Sequence, residues 1–324
     1  MTLKLSCSLA TYTDSPEHAR IAEALGYHRA WFYDSPALYP DVWVSIALAA
    51  ERTSTIGLGP GVLVPALRHP MVNAAAIATI ADLAPGRLAV AVGSGFTGAR
   101  TLGQKPMAWA KVGAYIATLR GLLAGQEVVW EGNVLKMMHP DGFGPARPLD
   151  VPFFVAASGP KGMAVAAEVG DGVMVAGNPA GVDAFRASAM LMAGTVLLPG
   201  EAVDSERVMA AAGHAAAVNL HAVYEWYPAM IESLPGGAAW RDAIEQVPEA
   251  RRHLELHDLH LIGVTERDRP FLTAEALAGV TFTPEALRER AAGWAAAGLQ
   301  EVAYQPAGPD IAGELERFAT ALHG

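Results

Sequence analysis

Residues 153–176 read FFVAASGPKGMAVAAEVGDGVMVA, and this stretch decides the fold class. Two short apolar runs, 153–157 and 172–176, flank a segment that starts with proline and repeats apolar residues at helical spacing. The runs lack the polar alternation of a half-exposed strand, so they predict strands that are covered on both faces. A helix between two such strands is typical of a parallel β–α–β unit.

The same alternation extends outward along the chain. Further strands are predicted over 3–10, 30–33, 56–59, 88–92, 190–197 and 301–305. Further helices are predicted over 16–25, 41–52, 70–83, 105–123, 205–224, 284–297 and 311–322. Strand–helix repetition of this length predicts an α/β fold, a (β/α)8 TIM barrel, with a doubly wound open sheet as the alternative.

The length indicates an insertion in this barrel. The chain has 324 residues, whereas a barrel of this class takes about 250. The regular pattern breaks over roughly 226–282, before the last predicted strand. We therefore predict one TIM-barrel domain over 1–324 that carries an insertion at roughly 226–282.

Composition excludes several classes of function. Acidic residues outnumber basic ones 33 to 23, which argues against binding to nucleic acid. The longest run without charged residues, 208–224, is shorter than a membrane span, so no membrane partner is expected. Cys7 is the one cysteine and lies in an apolar run, and no secretory signal is expected, which favours a cytoplasmic protein. No metal site is predicted, because the histidines at 253, 257 and 260 fit a solvated helix face.

Candidate site residues follow the strands, because the active site of such a barrel lies at the carboxyl ends of its strands. Asp34 is the best candidate acid or base, although an aspartate that caps a turn is an equal interpretation. Small residues and Lys161 open the helix after 153–157, which suits an anion such as phosphate. An ordinary helix start with a surface lysine is the alternative.

Taken in order, the strand ends resemble the bacterial luciferase-like family. The motifs extend over nearly the whole chain: Asp34, GPGV at 59–62, RHP at 68–70, PGR at 85–87, GSG at 93–95, ASGPKG at 157–162 and TPE at 283–285. Within the family, the chain is most similar to the branch that uses the deazaflavin coenzyme F420, such as methylenetetrahydromethanopterin reductases.

This resemblance implies a cytoplasmic F420-dependent oxidoreductase, usually a homodimer, that transfers a hydride between F420 and a small organic substrate. It places the cofactor ring in the barrel mouth, beside a non-proline cis peptide bond between Gly61 and Val62. The cofactor-binding residues that it implies are Asp34, Gly61, Val62, Gly93, Ser94, Ser158, Gly159, Pro160, Lys161 and Gly177. Proton management is assigned to Asp34, with Tyr12 as the alternative.

The chain departs from the family pattern at two positions. The sugar-phosphate dehydrogenases of this branch carry histidine directly after the aspartate and a catalytic glutamate after the Gly-x-Gly loop, where this chain has Ser35 and Phe96. Glucose 6-phosphate chemistry is therefore not expected. An apolar, aromatic mouth is predicted instead, formed by Tyr12, Tyr39, Trp43, Phe96 and Met107.

Two other functions remain open. The first is an FMN-dependent luciferase-like monooxygenase of the same fold, in which the flavin would activate dioxygen. The second is a cofactor-binding barrel without turnover, since the histidine and glutamate of the dehydrogenases are missing.

Overall fold

A computed structural model describes residues 3–324. The strands are β1 (Lys4–Leu9), β2 (Arg29–Phe32), β3 (Gly57–Leu63), β4 (Val90–Gly93), β5 (Val128–Trp130), β6 (Asn133–Leu135), β7 (Phe153–Ala156), β8 (Gly172–Ala176), β9 (Ser188–Ala193), β10 (Thr195–Val196), β11 (Thr281–Phe282) and β12 (Glu301–Gln305). The α-helices are α1 (Ser15–Ala24), α2 (Val42–Arg52), α3 (Pro70–Leu83), α4 (Phe96–Arg100), α5 (Trp109–Leu123), α6 (Pro160–Val169), α7 (Glu206–Trp226), α8 (Gly237–Glu245), α9 (Glu249–His257), α10 (Ala274–Ala278), α11 (Pro284–Ala296) and α12 (Ile311–His323). In this part of the chain no helix is long and apolar enough to cross a membrane.

Eight of these strands form a closed barrel in the order β1-β12-β9-β8-β7-β4-β3-β2. The β7–β8 pair is parallel, as residues 153–176 predict, and Phe154 lies opposite Gly172. The strands are buried along nearly their whole length, because helices cover the outside and side chains fill the inside. The (β/α)8 prediction is confirmed.

Large and small side chains share the barrel interior. Trp31 is fully buried there and meets Phe154 edge to face, with 5.6 Å between ring centroids. Room for these rings comes from small residues on neighbouring strands. A Cβ added to Gly59 would lie 1.7 Å from the carbonyl oxygen of Ala89, so β3 and β4 can approach closely only because residue 59 is glycine.

Contacts within the chain divide it into two compact units. One contains the residues up to Leu191 together with 297–303, and the other contains 192–296 and 304–324. The prediction of a single domain over 1–324 stays a prediction. The segment 226–282 belongs to the second unit and folds into α8, α9, α10 and β11, packed around Trp240.

Two expectations for individual segments are wrong. The predicted strand 190–197 is divided at Gly194, whose φ of +133° ends β9 before β10 begins. The histidines of the insertion do not form a solvated helix face: His257 ends α9 and is 0% exposed, and His260 lies beyond that helix and is 5% exposed. Helical spacing predicts a shared face, but it does not say whether that face meets water or other helices.

Candidate active site

Asp34 lies two residues after the end of β2 and is bound by Arg68. The residue is 3% exposed and its side chain 1%. Nη1 of Arg68 lies 2.7 and 2.9 Å from its two oxygens, and the backbone N–H of Val64 donates to Oδ2 over 3.1 Å. Sequence reasoning noted Arg68 only as part of the Arg-His-Pro motif, because 34 residues separate the two partners.

Opposing effects act on the proton affinity of this pair. Burial raises the pKa of the Asp34 carboxyl, while the Arg68 guanidinium and the Val64 amide act to lower it. Burial also disfavours the charge on Arg68, but Asp34 and Asp41 together raise the pKa of Arg68 above its ordinary value. A guanidinium does not deprotonate in proteins and here donates to both carboxylate oxygens, so we treat the pair as charged at neutral pH.

Tyr12 follows β1 and has a titratable partner that sequence reasoning missed. Its hydroxyl lies 2.9 Å from Nδ1 of His18, which is in the second turn of α1. Burial raises the pKa of Tyr12, with a further contribution from Asp14. Burial also lowers the pKa of His18, which favours a neutral imidazole that can exchange a proton with the phenol. No hydrogen bond within residues 3–324 joins Tyr12 to Asp34.

Small residues from β3 and β4 meet at the barrel mouth. The Gly61–Val62 peptide bond is cis, as the resemblance implies. A Cβ added to Gly93 would lie 2.8 Å from Cγ2 of Val62 and 3.6 Å from Cβ of Ala156. Val62 and Ser94 are partly exposed. These strand ends thus leave a shallow, small-residue surface against which a flat group could lie.

The amino terminus of α6 faces solvent. The residues 158–161 are all exposed, and Gly159 occupies the N-cap position without a side-chain hydrogen bond to the first turn. The first amides of a helix have no partner within it and favour an anion. On the neighbouring strand, Gly177 follows β8 with a φ of +69°, and a Cβ there would meet nothing within 4 Å.

The predicted aromatic mouth is present only in part. Tyr39 and Trp43 are 6% and 8% exposed, so they contribute little surface. Tyr12, Phe96 and Met107 are partly exposed and remain available to contact a ligand.

A cavity of about 310 Å³ lies at the other end of the strands. Two of the acids that line it have partners: Asp171 binds Arg120 over 2.6 Å, and Glu301 accepts from the indole of Trp31. Barrel enzymes place their chemistry at the carboxyl ends, so this cavity is outside the candidate site. Across residues 3–324, no group of three His, Cys, Asp or Glu could hold a metal ion.

Comparison with known proteins relates this geometry to named relatives. The 5,10-methylenetetrahydromethanopterin reductase of Methanolobus tindarius is 31% identical over 166 residues, which are 49% of this chain and 48% of that protein. The F420-dependent glucose-6-phosphate dehydrogenase of Beutenbergia cavernae is 36% identical over 149 residues, or 43% and 41% of the two chains. The chain thus spans about half the length of the curated relatives that it matches.

Solved structures confirm the fold over the full length. The coenzyme F420 dependent tetrahydromethanopterin reductase from Methanopyrus kandleri superposes with a TM-score of 0.71 at 19% identity, covering 99% of both chains. The profile of the family described as luciferase-like monooxygenase matches residues 5–301. Because this match includes the strand ends described above, we conclude that the chain belongs to the luciferase-like monooxygenase family.

Proposed function

We propose that this protein is an F420-dependent oxidoreductase that transfers a hydride between the deazaflavin and a small organic substrate. The observation that carries the proposal is the open, uncapped amino terminus of α6 with Gly177 on the neighbouring strand. The names of several relatives, reductases and dehydrogenases that depend on F420, support the cofactor class.

The residues at the mouth fit the two ends of such a cofactor. The free amides at Gly159 and the side chain of Lys161 offer hydrogen bonds and positive charge to its phosphate, and Ser158 adds a hydroxyl. Glycine at 177 leaves the space that a side chain would occupy. Gly61, Val62, Gly93 and Ser94 would contact the flat ring. Pro160 is the first residue of α6 and has no backbone N–H. The helix loses no hydrogen bond by this, because an N–H in the first turn has no partner within the helix.

When bound, the deazaflavin supplies the hydride chemistry, and the protein supplies binding, orientation and exclusion of water. Tyr12 is the residue that we propose to move the proton, because its hydroxyl is hydrogen-bonded to His18 and half-buried. Asp34 remains a second candidate for this role. Its pairing with Arg68 favours a fixed hydrogen-bond acceptor at the edge of the cofactor.

The substrate that we propose is uncharged or weakly polar. Ser35 is buried and Phe96 carries no ionisable group, so neither can exchange a proton with a sugar phosphate as histidine or glutamate would. The partly exposed rings of Phe96 and Tyr12 favour an apolar organic molecule. Because it is to accept a hydride, we propose that this molecule carries a carbonyl or an activated double bond.

Titration of the purified protein with oxidised F420 and, separately, with FMN tests the cofactor. We expect quenching of F420 fluorescence with a micromolar dissociation constant and weaker binding of FMN. Preference for FMN would instead favour the monooxygenase. If F420 binds but no stereospecific hydride transfer between the cofactor and a panel of carbonyl and activated-alkene substrates is detectable, the binding barrel without turnover is favoured instead.

We also propose that the protein is a homodimer and acts in the cytoplasm. Val44 and Leu48 of α2 and Val72 of α3 are 59%, 45% and 55% exposed, and α2 and α3 pack side by side. Exposed apolar side chains on two neighbouring helices suit contact with a second copy of the chain. Light scattering after size-exclusion chromatography measures the assembly, and a mass of one chain would contradict it.

A further inference from the structure

We propose that Arg68 is the positioning residue of the candidate active site. It holds the Asp34 carboxylate in a single orientation and supplies the countercharge that this buried group needs. The inference deepens the proposed function and rests on it for the part that concerns the cofactor. Its structural part rests on contacts within one compact unit of the chain.

Arg68 divides its guanidinium between two carboxylates. Nη1 donates to both oxygens of Asp34, and Nη2 donates to Oδ2 of Asp41 over 2.7 Å. The arginine side chain is 13% exposed, the Asp34 side chain 1% and the Asp41 side chain 46%. The pair with Asp34 is therefore nearly dry, whereas the pair with Asp41 faces water and acts mainly to orient the guanidinium.

A closed circuit of hydrogen bonds holds Arg68 from both sides. Asp41 caps α2 by accepting from the backbone N–H of Trp43, whose indole donates to Oδ1 of Asn73 over 2.9 Å. The amide of Asn73 donates to the hydroxyl of Tyr115 over 2.6 Å, and that hydroxyl donates to the carbonyl oxygen of Arg68 over 2.9 Å. The circuit joins α2, α3 and α5 to the loop after β3, so the guanidinium is held in place before any ligand binds.

Removing Arg68 would leave a buried carboxylate without its countercharge. The charged groups with the largest effect on the pKa of Asp34 are Arg68 itself and Asp41 across the guanidinium, and Asp34 in turn raises the pKa of Tyr115. Arg68 supplies the positive charge, so Arg68→Met removes the largest effect that opposes burial and leaves the smaller effect of the Val64 amide. Asp34 would then take up a proton at a higher pH and lose its fixed orientation.

The test follows the titration of Asp34 directly. Protein labelled with carboxyl-13C aspartate is titrated by NMR, and the Asp34 signal is assigned by its loss in Asp34→Asn. We expect the Asp34 midpoint to rise in Arg68→Met and to lie between that and the native value in Arg68→Lys, which keeps the charge and loses the fork. Arg20→Met is the matched control, since Arg20 binds the exposed Glu17 over 2.7 Å. An unchanged Asp34 midpoint in Arg68→Met would overturn the inference.

The affinity for oxidised F420 supplies the second measurement, over the same pH range. We expect Arg68→Met to weaken binding on the order of 10- to 100-fold, the range by which loss of a hydrogen-bond partner behind a metal ligand weakens metal binding or activity. The effect should largely disappear in the Asp34→Asn background, since Arg68 acts through Asp34. Equal losses in both backgrounds would mean a general structural role and overturn the inference.

The design also separates the two proposals. If the native protein fails to bind F420, the proposed function falls, while the NMR titration still decides the role of Arg68. If Arg68→Met does not fold, the Asp34 midpoint is measured in Arg68→Lys, which keeps a positive charge beside the carboxylate. The Arg68→Met/Asp34→Asn double variant then tests folding alone, because it leaves no lone buried charge. If the double variant folds like the native protein while Arg68→Met does not, the inference is supported.

Discussion

The indole nitrogen of Trp31 donates a 2.7 Å hydrogen bond to Oε1 of Glu301, across 270 positions of sequence. Both side chains are buried, with 0% and 5% exposed. A buried acceptor that loses its donor keeps the cost of leaving water, so Trp31→Phe should lower the free energy of unfolding by about 1–3 kcal/mol. Equilibrium unfolding in urea measures the change.

Two variants distinguish this bond from simple loss of packing. Glu301→Gln keeps an acceptor at the same place and should destabilise less than Trp31→Phe. Trp294→Phe, at a partly exposed position of α11, gives the cost of trimming an indole elsewhere. If Trp31→Phe costs no more than Trp294→Phe, the hydrogen bond to Glu301 does not contribute to stability.

Stability should also decrease in acid because of His214 in α7. Burial lowers the pKa of this imidazole from 6.5 to about 4, against a smaller opposing effect from the backbone of Ala211. The folded state therefore favours the neutral ring. Above pH 6.5 the imidazole is neutral in both states, and its contribution to the free energy of unfolding is fully present. As the pH falls toward 4, the unfolded state binds the proton first, so this contribution is lost. A pKa shift of this size corresponds to a loss of roughly 3 kcal/mol in the free energy of unfolding.

His214→Leu tests this pH dependence. The variant should be about as stable as the native protein at pH 7 and lose less stability between pH 6.5 and 4, since leucine has no proton to take up. His253→Leu, at a partly exposed position of α9, is the control and should leave the acid limb unchanged. Parallel acid limbs for the native protein and His214→Leu would show that other groups dominate.

Much of the barrel could be predicted because its strands are short, uniformly apolar and separated by helices of regular spacing. The parallel pairing of β7 with β8 follows from that pattern, whereas the register that sets Phe154 opposite Gly172 was not predicted. The β5–β6 hairpin escaped prediction, because three-residue strands give too few positions to reveal a period.

The candidate site could be predicted only where a strand end itself carries the chemistry. Asp34 and the start of α6 are of this kind, whereas the Gly61–Val62 cis bond was implied only by the resemblance to the luciferase-like family. Arg68 and His18 were missed as partners, because their roles depend on which strand and helix lie beside them in space. For His18 a signal exists in hindsight: it lies six positions after Tyr12, in the second turn of a helix that directly follows the strand-end loop.

If the amino terminus of α6 binds the phosphate of F420, Lys161→Ala should weaken binding of the cofactor. Lys161 is exposed in the first turn of α6, so its charge acts through partly screened attraction, and a loss of about tenfold or less is expected. The dependence of the dissociation constant on salt should decrease together with affinity. Lys136→Ala, which removes an exposed lysine paired with Glu127 on the β5–β6 hairpin, should change neither. Unchanged affinity in Lys161→Ala would remove this residue from the site.

Tyr12→Phe separates proton transfer from cofactor binding. The variant removes the hydroxyl that lies 2.9 Å from Nδ1 of His18 and keeps the ring. If Tyr12 moves the proton, the dissociation constant of F420 should be nearly unchanged, while kcat falls about 100-fold or more, in line with the usual contribution of a general acid or base. His18→Gln should reduce kcat less and alter its pH profile, because it removes the partner and keeps the phenol. A variant Tyr12→Phe with native kcat would transfer the proton role to Asp34, whose own variant Asp34→Asn would then show the larger loss.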